Sequence, residues 1–324
     1  MKKRNKISDY FVYLLLRVVT AIFHLFPIDM NLRTGKWMGD MFWLIISKDF
    51  PILRKILRRK HRDQIMDNLR LALGKEYCEQ ELENIAKISC RHLVMFAIEC
   101  LFTERLISLY TWQKYITFKN FEPALKLLLE NKGAILLTGH YGSWEVLGYM
   151  LGTLGLDIVA VMRPLDNPYM NDYLVGIRER HGLRLLYKKG AAANMEQTIA
   201  EGSALGFIAD QDAGRKGIFV DFFGQKASTY KSIALVARSL NVPLIVGCAR
   251  RTSWKKFQYE VEAEEIIFPS EWKGRDDEVL YITTRFNQAL ERMVRKDPTQ
   301  YLWLHRRWKS RPPEEKKALN EPRP

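Results

Sequence analysis

Short apolar runs that alternate with helical segments are the feature that most limits how this chain can fold. From Phe118 onward, such runs recur between stretches in which apolar residues return at helical spacing. The runs that we predict as strands are residues 134–138, 158–162, 184–187, 204–209, 242–247 and 257–261. Because this alternation is typical of parallel strands joined by helices, the sequence predicts an α/β fold with a largely parallel central sheet flanked by helices.

The first 120 residues lack this alternation and are predicted to be helical. A basic start precedes a mostly apolar segment, residues 10–26, which Arg17 interrupts and which is shorter than the roughly 20 residues of a spanning helix. We therefore predict that residues 1–30 are a membrane anchor helix lying in the membrane interface. A second apolar patch, residues 37–46, is rich in Trp and Met and suits either an interface anchor or an ordinary core helix.

The rest of the chain is expected to form one main domain and a short tail. Residues 31–311 are assigned to the domain, helical to about residue 120 and α/β after it. Within its helical part, residues 52–62 form a basic amphipathic segment that could lie on anionic lipid or be a solvated face. Residues 312–324 are charged and rich in proline, so we predict a disordered tail.

The charge balance predicts an anionic partner. The 51 Lys and Arg residues exceed the 37 Asp and Glu residues, which gives a formal net charge of +14. Nucleic acid, an anionic membrane and an acidic protein all fit that excess. The 4 cysteines form no Cys-x-x-Cys pair and the 6 histidines form no His-Glu-x-x-His pattern. We therefore expect no disulfide framework, no metal and no cofactor, and the cysteine pattern favours a reducing, cytosol-facing location.

A strand, a glycine turn and a helix start meet at residues 134–147. His140 lies in the turn and Glu145 in the first helical turn. With Gly142 between them, the chain could fold so that Glu145 accepts a hydrogen bond from one imidazole nitrogen of His140 and aims the other outward. His140 would then be a general base for an alcohol; a structural histidine is the alternative. The backbone N–H groups of Gly142 and Ser143 could bind a developing oxyanion.

Polar side chains also follow two other predicted strands. Arg163 follows the strand at 158–162, and Asp210 and Asp212 follow the strand at 204–209. Because the carboxyl ends of parallel strands share one edge, we expect these residues near His140. Arg163 could clamp a phosphate or form a surface ion pair. The two aspartates could orient His140, hold Arg163 or serve only as turn residues.

Two cations, Arg215 and Lys216, come shortly after Asp212 in the chain. They could bind an anionic headgroup, or they could simply be solvated. A basic and aromatic strip at residues 301–309 is likewise suited to phosphate groups or to a membrane surface.

The string Gly-His-Tyr-Gly-Ser-Trp-Glu at residues 139–145 resembles a known motif. It matches the His-x-x-x-x-Asp/Glu motif of the glycerolipid acyltransferase superfamily, in the version of the late acyltransferases of lipid A biosynthesis, the lauroyl/myristoyl transferase family. Arg163-Pro164, the block Asp210-Gln211-Asp212, residues 217–229 and the closing segment 301–309 resemble further blocks of that family. The resemblance covers roughly residues 10–311.

This resemblance implies an acyltransferase on the cytoplasmic face of a bacterial inner membrane. It would move a fatty acyl chain from acyl carrier protein to a hydroxyl of a lipid A precursor, without a metal or a covalent acyl-enzyme. His140 would deprotonate the hydroxyl, and Glu145 would stabilise the imidazolium. Residues 31–311 would be the acyltransferase domain. The positive charge would suit both an acidic carrier protein and a phosphorylated lipid.

Other functions fit parts of this pattern. Coenzyme A is the alternative acyl donor, and a glycerolipid, a phosphoinositol mannoside or an ornithine-type lipid is the alternative acceptor. From another class, a basic nucleic-acid-binding protein would also carry a large positive charge. The sequence contains no recognised nucleic-acid-binding motif and begins with an apolar segment, so we expect no nucleic acid partner.

Overall fold

A computed structural model describes residues 5–47, 60–187, 191–313 and 315. The helices before the sheet are α1 (Lys6–His24), α2 (Ile28–Ser47), α3 (Lys60–Leu73), α4 (Glu79–Cys100) and α5 (Thr103–Leu106). The strands are β1 (Ile116–Lys119), β2 (Ala134–Thr138), β3 (Ile158–Met162), β4 (Leu183–Tyr187), β5 (Ala204–Ile208), β6 (Ile218–Phe222), β7 (Gln225–Thr229), β8 (Leu244–Arg251) and β9 (Tyr259–Ile267). The later helices are α6 (Glu122–Leu129), α7 (Trp144–Thr153), α8 (Pro168–Arg180), α9 (Ala191–Ala200), α10 (Lys231–Leu240), α11 (Pro269–Trp272) and α12 (Glu278–Lys296).

Seven strands form one sheet in the order β1-β9-β8-β2-β5-β3-β4. All neighbouring pairs are parallel except β8 and β9, which are antiparallel. Helices cover the sheet, and buried apolar residues form a core on both sides of it. A strand buried on both faces needs apolar residues at successive positions, which is why the strands appear in the sequence as short apolar runs. The predicted α/β fold with a largely parallel sheet is confirmed.

The strand order places three segments with polar residues at one edge. β2 lies at the centre of the sheet, between β8 and β5, and β3 pairs with the other side of β5. The registers align Thr138 of β2 with Ile208 of β5, and Ala160 of β3 with Gly206 of β5. The segments that follow β2, β5 and β3 therefore leave the sheet side by side, as the sequence predicted.

Several elements were not predicted from the sequence, among them strand β1. Strands β6 and β7 form a separate antiparallel hairpin. Helix α12 buries one apolar face, which includes Ile282, Phe286 and Leu290, and its neighbours include β6 and β8. The strands β8 and β9 also extend further than the predicted runs, because their pairing continues from Leu244 to Arg251.

Helix α1 lies against the body of the protein along one face. Its Tyr10 ring packs edge-on against Tyr169 of α8 with centroids 5.2 Å apart, and the Arg17 guanidinium lies 4.8 Å from the Tyr173 ring centroid. By length and composition α1 could cross a membrane. Its opposite face is an exposed apolar stripe formed by Ile7, Phe11, Leu15, Val18 and Ile22.

Helix α2 is a core helix along one face, and its other face is exposed. One face is core: a Cβ at Gly39 would lie 2.4 Å from the Arg91 backbone of α4, and Trp43 and Ile46 are buried. The other face exposes Trp37. The predicted basic helix at 52–62 lies largely outside the described residues, as does most of the predicted tail at 312–324.

Candidate active site

The segment after β2, residues 139–143, forms a tight turn that we call the His140 turn. Gly142 has a φ of +59°, and a Cβ there would lie 2.1 Å from the Ala249 carbonyl oxygen. Only glycine can occupy such a position without displacing the backbone. Helix α7 starts directly after the turn, and the Ser143 hydroxyl caps it by accepting a hydrogen bond of 3.2 Å from the Val146 N–H.

The backbone groups of the turn are held by its neighbours. The Leu302 N–H donates to the His140 carbonyl over 3.0 Å, and the Gly142 N–H donates to the Gln300 carbonyl over 3.1 Å. The Ser143 N–H donates to the Ala249 carbonyl over 2.8 Å. The amides of Gly142 and Ser143 are thus already used inside the protein. The prediction that they bind an oxyanion is therefore wrong.

Asp210 is the carboxylate that holds His140. Its Oδ1 lies 2.7 Å from the imidazole Nδ1, and its Oδ2 accepts the backbone N–H of His140 over 2.8 Å. Burial tends to raise the pKa of Asp210, but the charge and the hydrogen bonds of His140 outweigh it and lower that pKa to about 2. Because an ionised carboxylate can only accept, Nδ1 carries a proton, and Nε2 is left with the lone pair of a base.

Glu145 does not contact His140 through its carboxylate, and the predicted pairing of these two residues is wrong. Its Oε2 accepts a 3.1 Å hydrogen bond from Nε of Arg178 in α8, and Oε1 accepts a second from the same guanidinium. The charge of Glu145 raises the pKa of Arg178 even though burial acts to lower it. The cause is that residues after the Ser143 cap are helical, so Glu145 extends from α7 toward α8 while His140 remains in the turn.

Two rings flank the His140 imidazole. The Trp144 ring centroid lies 4.8 Å from that of His140, and the His305 ring centroid lies 4.4 Å from it. Burial and the neighbouring His140 lower the pKa of His305. His305 was not predicted as a site residue, although it lies in the basic and aromatic strip at 301–309. That strip is partly buried: its interior side chains are Tyr301, Trp303, Arg307 and Trp308.

A buried polar network supports the turn from the α4 side. The His92 Nε2 lies 3.0 Å from the Gly142 carbonyl oxygen. Burial and the charge of Arg251 lower the pKa of His92 to about 3. Arg251 is itself buried and donates to Oε1 of Glu99 over 2.7 Å and to the Tyr259 hydroxyl over 2.8 Å. The sequence did not reveal this network, because its members lie in an ordinary helix and in two buried strands.

The other predicted binding residues make no hydrogen bond to His140 among the described contacts, although Arg163 lies in the wall of the cavity beside it. The Arg163 side chain is 83% exposed, and its Nη2 lies 3.7 Å from Oδ1 of Asp166. Asp212 accepts hydrogen bonds from the Gly214 N–H over 3.2 Å and from the Ser310 hydroxyl over 3.0 Å. Asp212 therefore anchors a turn and the C-terminal segment, and it neither orients His140 nor holds Arg163. Arg215 and Lys216 are exposed in the segment after β5.

A cavity of about 720 Å³ opens beside the imidazole. His140, Glu145 and Arg178 contribute polar groups to its wall. Most of the wall is apolar and includes Leu147, Leu151, Val161, Met162, Phe207 and Ile233. This size and character are typical of pockets that bury an organic ligand. Among the described residues, no group of three or more His, Cys, Asp or Glu side chains could hold a metal ion.

Comparison with known proteins connects this geometry with one family. The family model for bacterial lipid A biosynthesis acyltransferases matches residues 1–310. The chain is 25% identical to the lipid A biosynthesis palmitoleoyltransferase of Escherichia coli (strain K12), over 85% of this chain and 91% of the relative. It is 28% identical to a lipid A biosynthesis acyltransferase of Haemophilus influenzae, over 87% and 93%, respectively. The lipid A biosynthesis lauroyltransferase of E. coli K12 is 25% identical, over 85% and 92%.

Proposed function

The chain belongs to the bacterial lipid A biosynthesis acyltransferase family and is an acyltransferase, and from that premise we propose the reaction that it performs. It transfers a fatty acyl chain from an acyl carrier protein thioester to a hydroxyl group of a lipid A precursor. The observation that carries this proposal is the 2.7 Å contact between His140 Nδ1 and Asp210 Oδ1 beside an apolar cavity. That arrangement supplies a general base next to space for a hydrocarbon chain.

His140 acts as the base, and Asp210 takes the role that the sequence gave to Glu145. As Nε2 removes the proton of the acceptor hydroxyl, positive charge develops on the imidazole 2.7 Å from the Asp210 carboxylate. Asp210 is buried and ionised, so its charge is weakly screened and stabilises the imidazolium. It also fixes which ring nitrogen faces the hydroxyl.

The reaction then proceeds without a covalent enzyme intermediate. The acceptor oxygen attacks the thioester carbonyl carbon while His140 takes its proton. The carbon–sulfur bond breaks, and the imidazolium returns the proton to the departing thiolate. The products are the ester of the lipid and the free thiol of the carrier, and His140 is neutral again. Acceptor and donor must both be bound for this step, which yields a large proximity effect.

The apolar part of the cavity is the proposed site of the acyl chain. Each methylene group moved from water into such a wall contributes about 0.8 kcal/mol, so a long hydrocarbon is favoured over a short one. The ion pair of Glu145 and Arg178 lies in the same wall and gives it one polar region. We assign Glu145 to that wall: it holds Arg178, which shapes the pocket beside the reacting groups.

Exposed cations follow strands of the sheet near the edge where His140 lies, and they suit anionic substrates. Arg163 follows β3, and Arg215 and Lys216 follow β5, at the edge of the sheet where His140 lies. Arg306 and Lys309 are exposed in the C-terminal segment that carries His305. We assign these cations to the phosphate groups of the lipid and to the acidic surface of the carrier protein. Because the cations are exposed, each contact contributes little alone and is sensitive to salt.

We assign the enzyme to the cytoplasmic face of the inner membrane. The curated relatives are bacterial enzymes of lipid A biosynthesis, which supports a membrane location. Helix α1 rests on α8 through Tyr10 and Tyr13 and exposes an apolar stripe on its other side. A helix held flat against the domain in this way suits the membrane interface, with the stripe in contact with lipid.

Product mass tests the proposed reaction. Membranes or purified full-length protein are incubated with acyl carrier protein thioesters and a lipid A precursor, and one added acyl group is expected on the lipid. His140→Ala should fold and bind membrane but lose transfer, and normal turnover by that variant would refute the mechanism. Parallel reactions with coenzyme A thioesters, and with a glycerolipid or an ornithine-type lipid as acceptor, identify the donor and acceptor classes.

A further inference from the structure

The peptide unit that joins Gly142 and Ser143 in the His140 turn is held by hydrogen bonds to both its carbonyl and its N–H group. Its carbonyl group, that of Gly142, lies 3.0 Å from Nε2 of His92 in α4. Because a carbonyl oxygen can only accept, Nε2 must carry the proton and donate it. Its N–H group, that of Ser143, donates to the Ala249 carbonyl of β8 over 2.8 Å. A flip of this peptide would break both bonds.

His92 is in turn fixed by a buried ion pair. Nε of Arg251 lies 3.5 Å from Nδ1 of His92, and the rest of the guanidinium binds Glu99 and the Tyr259 hydroxyl. The side chains of Arg251 and Glu99 are 0% and 1% exposed. A fully buried ion pair stabilises a protein little more than an apolar replacement would, because both charges lose their hydration. Its position next to His92 gives it a different use, which is to fix the tautomer and orientation of the ring.

The backbone of Arg251 is also connected to the His140 turn through Gln300. The Gln300 side chain accepts the Arg251 N–H over 2.8 Å and donates to the Arg251 carbonyl over 2.9 Å. The Gln300 carbonyl then accepts the Gly142 N–H. Both polar groups of Gly142 are therefore connected to Arg251, one through His92 and one through Gln300.

The orientation of this peptide determines where α7 begins. Ser143 is the cap of α7, and Glu145 lies in its first turn with Arg178 as its partner. A change at Gly142 would therefore move the cavity wall relative to His140. A displacement of about 1 Å between reacting groups can lower a rate about 100-fold.

We propose that His92 is a positioning residue of the active site, which fixes the Gly142–Ser143 peptide and thereby the geometry between His140 and the substrate cavity. This inference rests on the proposed function, because it assigns His92 to the same reaction. His92 does not touch substrate: within the described part of the chain it is not among the residues that line the cavity. It acts through the backbone alone.

Three variants of the full-length protein test this proposal. His92→Phe keeps a ring of similar size but removes the donor to Gly142. His92→Gln restores an N–H donor on a neutral side chain. The matched control is Leu82→Ala, which opens a cavity in the same helix at a buried position roughly 15 Å along the helix axis. Acyl transfer is measured at a temperature where all three variants remain folded by circular dichroism.

The expected result is a specific loss in turnover. His92→Phe should lower kcat about 100-fold with KM within about threefold of wild type, whereas His92→Gln should recover to within about fivefold of the wild-type kcat. Leu82→Ala should keep the wild-type kcat despite its lower melting temperature. Equal kcat in His92→Phe and Leu82→Ala at matched fractions folded, or a His92→Gln variant as slow as His92→Phe, would overturn the proposal.

Hydrogen exchange separates this inference from the proposed reaction. The peptide that covers residues 139–147 should exchange faster in His92→Phe than in wild type, His92→Gln or Leu82→Ala, because the Ser143 N–H is released. This readout needs no substrate. Wild-type protein without acyl transfer would contradict the proposed function alone, and unchanged exchange in His92→Phe would contradict the role of His92.

Discussion

The Asp210 carboxylate lies 2.7 Å from Nδ1 of His140, although the two residues are 70 positions apart in the sequence. Glu145, only five positions away, binds Arg178 instead. The proposed catalytic pair is therefore formed across two neighbouring strand ends and not within the His-x-x-x-x-Glu motif itself. This difference makes the two carboxylates experimentally distinguishable.

Asp210→Asn should remove most of the activity while leaving substrate binding largely intact. An amide cannot stabilise the imidazolium and can hold the ring in the wrong tautomer, so kcat should fall by about 100- to 10,000-fold. Steady-state acyl transfer, which gives kcat and KM separately, measures both effects.

Glu145→Gln is the matched control for this prediction. It removes a carboxylate of the same cavity, but one that does not contact His140. Its kcat should fall less than that of Asp210→Asn, even if the orphaned Arg178 charge lowers the stability or the rate. A larger loss of kcat in Glu145→Gln than in Asp210→Asn would refute the assignment of the pair.

Acid should destabilise the protein partly through Asp210. Its pKa of about 2 lies below the usual value of 3.8, so the contribution to stability is fully present above about pH 4 and is lost as pH falls toward 2. The difference corresponds to about 2 kcal/mol in the free energy of unfolding. Denaturant unfolding at several pH values should show a smaller loss between pH 5 and 2 in Asp210→Asn than in wild type. Parallel pH dependences in the two proteins would contradict this assignment.

Gly142→Ala should abolish activity through the backbone. The new Cβ would lie 2.1 Å from the Ala249 oxygen at a φ of +59°, so the turn must change shape. We expect a loss in kcat of at least 100-fold and a lower melting temperature. Gly155→Ala is the control, since Gly155 also has a positive φ, +77°, but has no atom within 4 Å of the added Cβ. Similar activities of the two variants would show that the turn tolerates the displacement.

Leu15→Glu should weaken membrane binding without unfolding the protein. Leu15 is 64% exposed in the apolar stripe of α1, so the charge would replace a contact with lipid and not a core contact. Flotation with anionic vesicles should show a reduced bound fraction at an unchanged melting temperature. Leu235→Glu, at an exposed position in α10, is the control and should float as wild type does. Unchanged flotation of Leu15→Glu would show that the apolar stripe of α1 is not the lipid contact.

The sequence predicted six of the seven strands of the described sheet and the edge where the site lies, but it did not predict the partner of His140. Apolar runs and glycines are local signals, and they located β2, β3, β5 and the His140 turn. The pairing with Asp210 depends on β5 lying next to β2, which is a property of strand order. The rotation of Glu145 toward Arg178 depends on the Ser143 cap, whose effect is visible only once α7 and α8 are in place.

The supporting residues were missed for the same physical reason. His92 and Arg251 are 159 positions apart and look, in the sequence, like ordinary members of a helix and a strand. The segment at 301–309 looked like a cationic surface, because its charge is visible in the sequence and its burial is not. Arg307 is in fact buried and donates to the Ser228 carbonyl over 2.6 Å. Composition shows which charges are present but not which ones the fold encloses.

The contacts of the C-terminal segment make the His140 turn depend on residues that follow the whole described sheet in the chain. Gln300, Leu302 and His305 all meet the turn, although the last described strand, β9, ends at Ile267. A variant truncated after residue 296 would keep the nine described strands and lose these three contacts. Such a protein could assemble its α/β scaffold and still lack the support that orients His140.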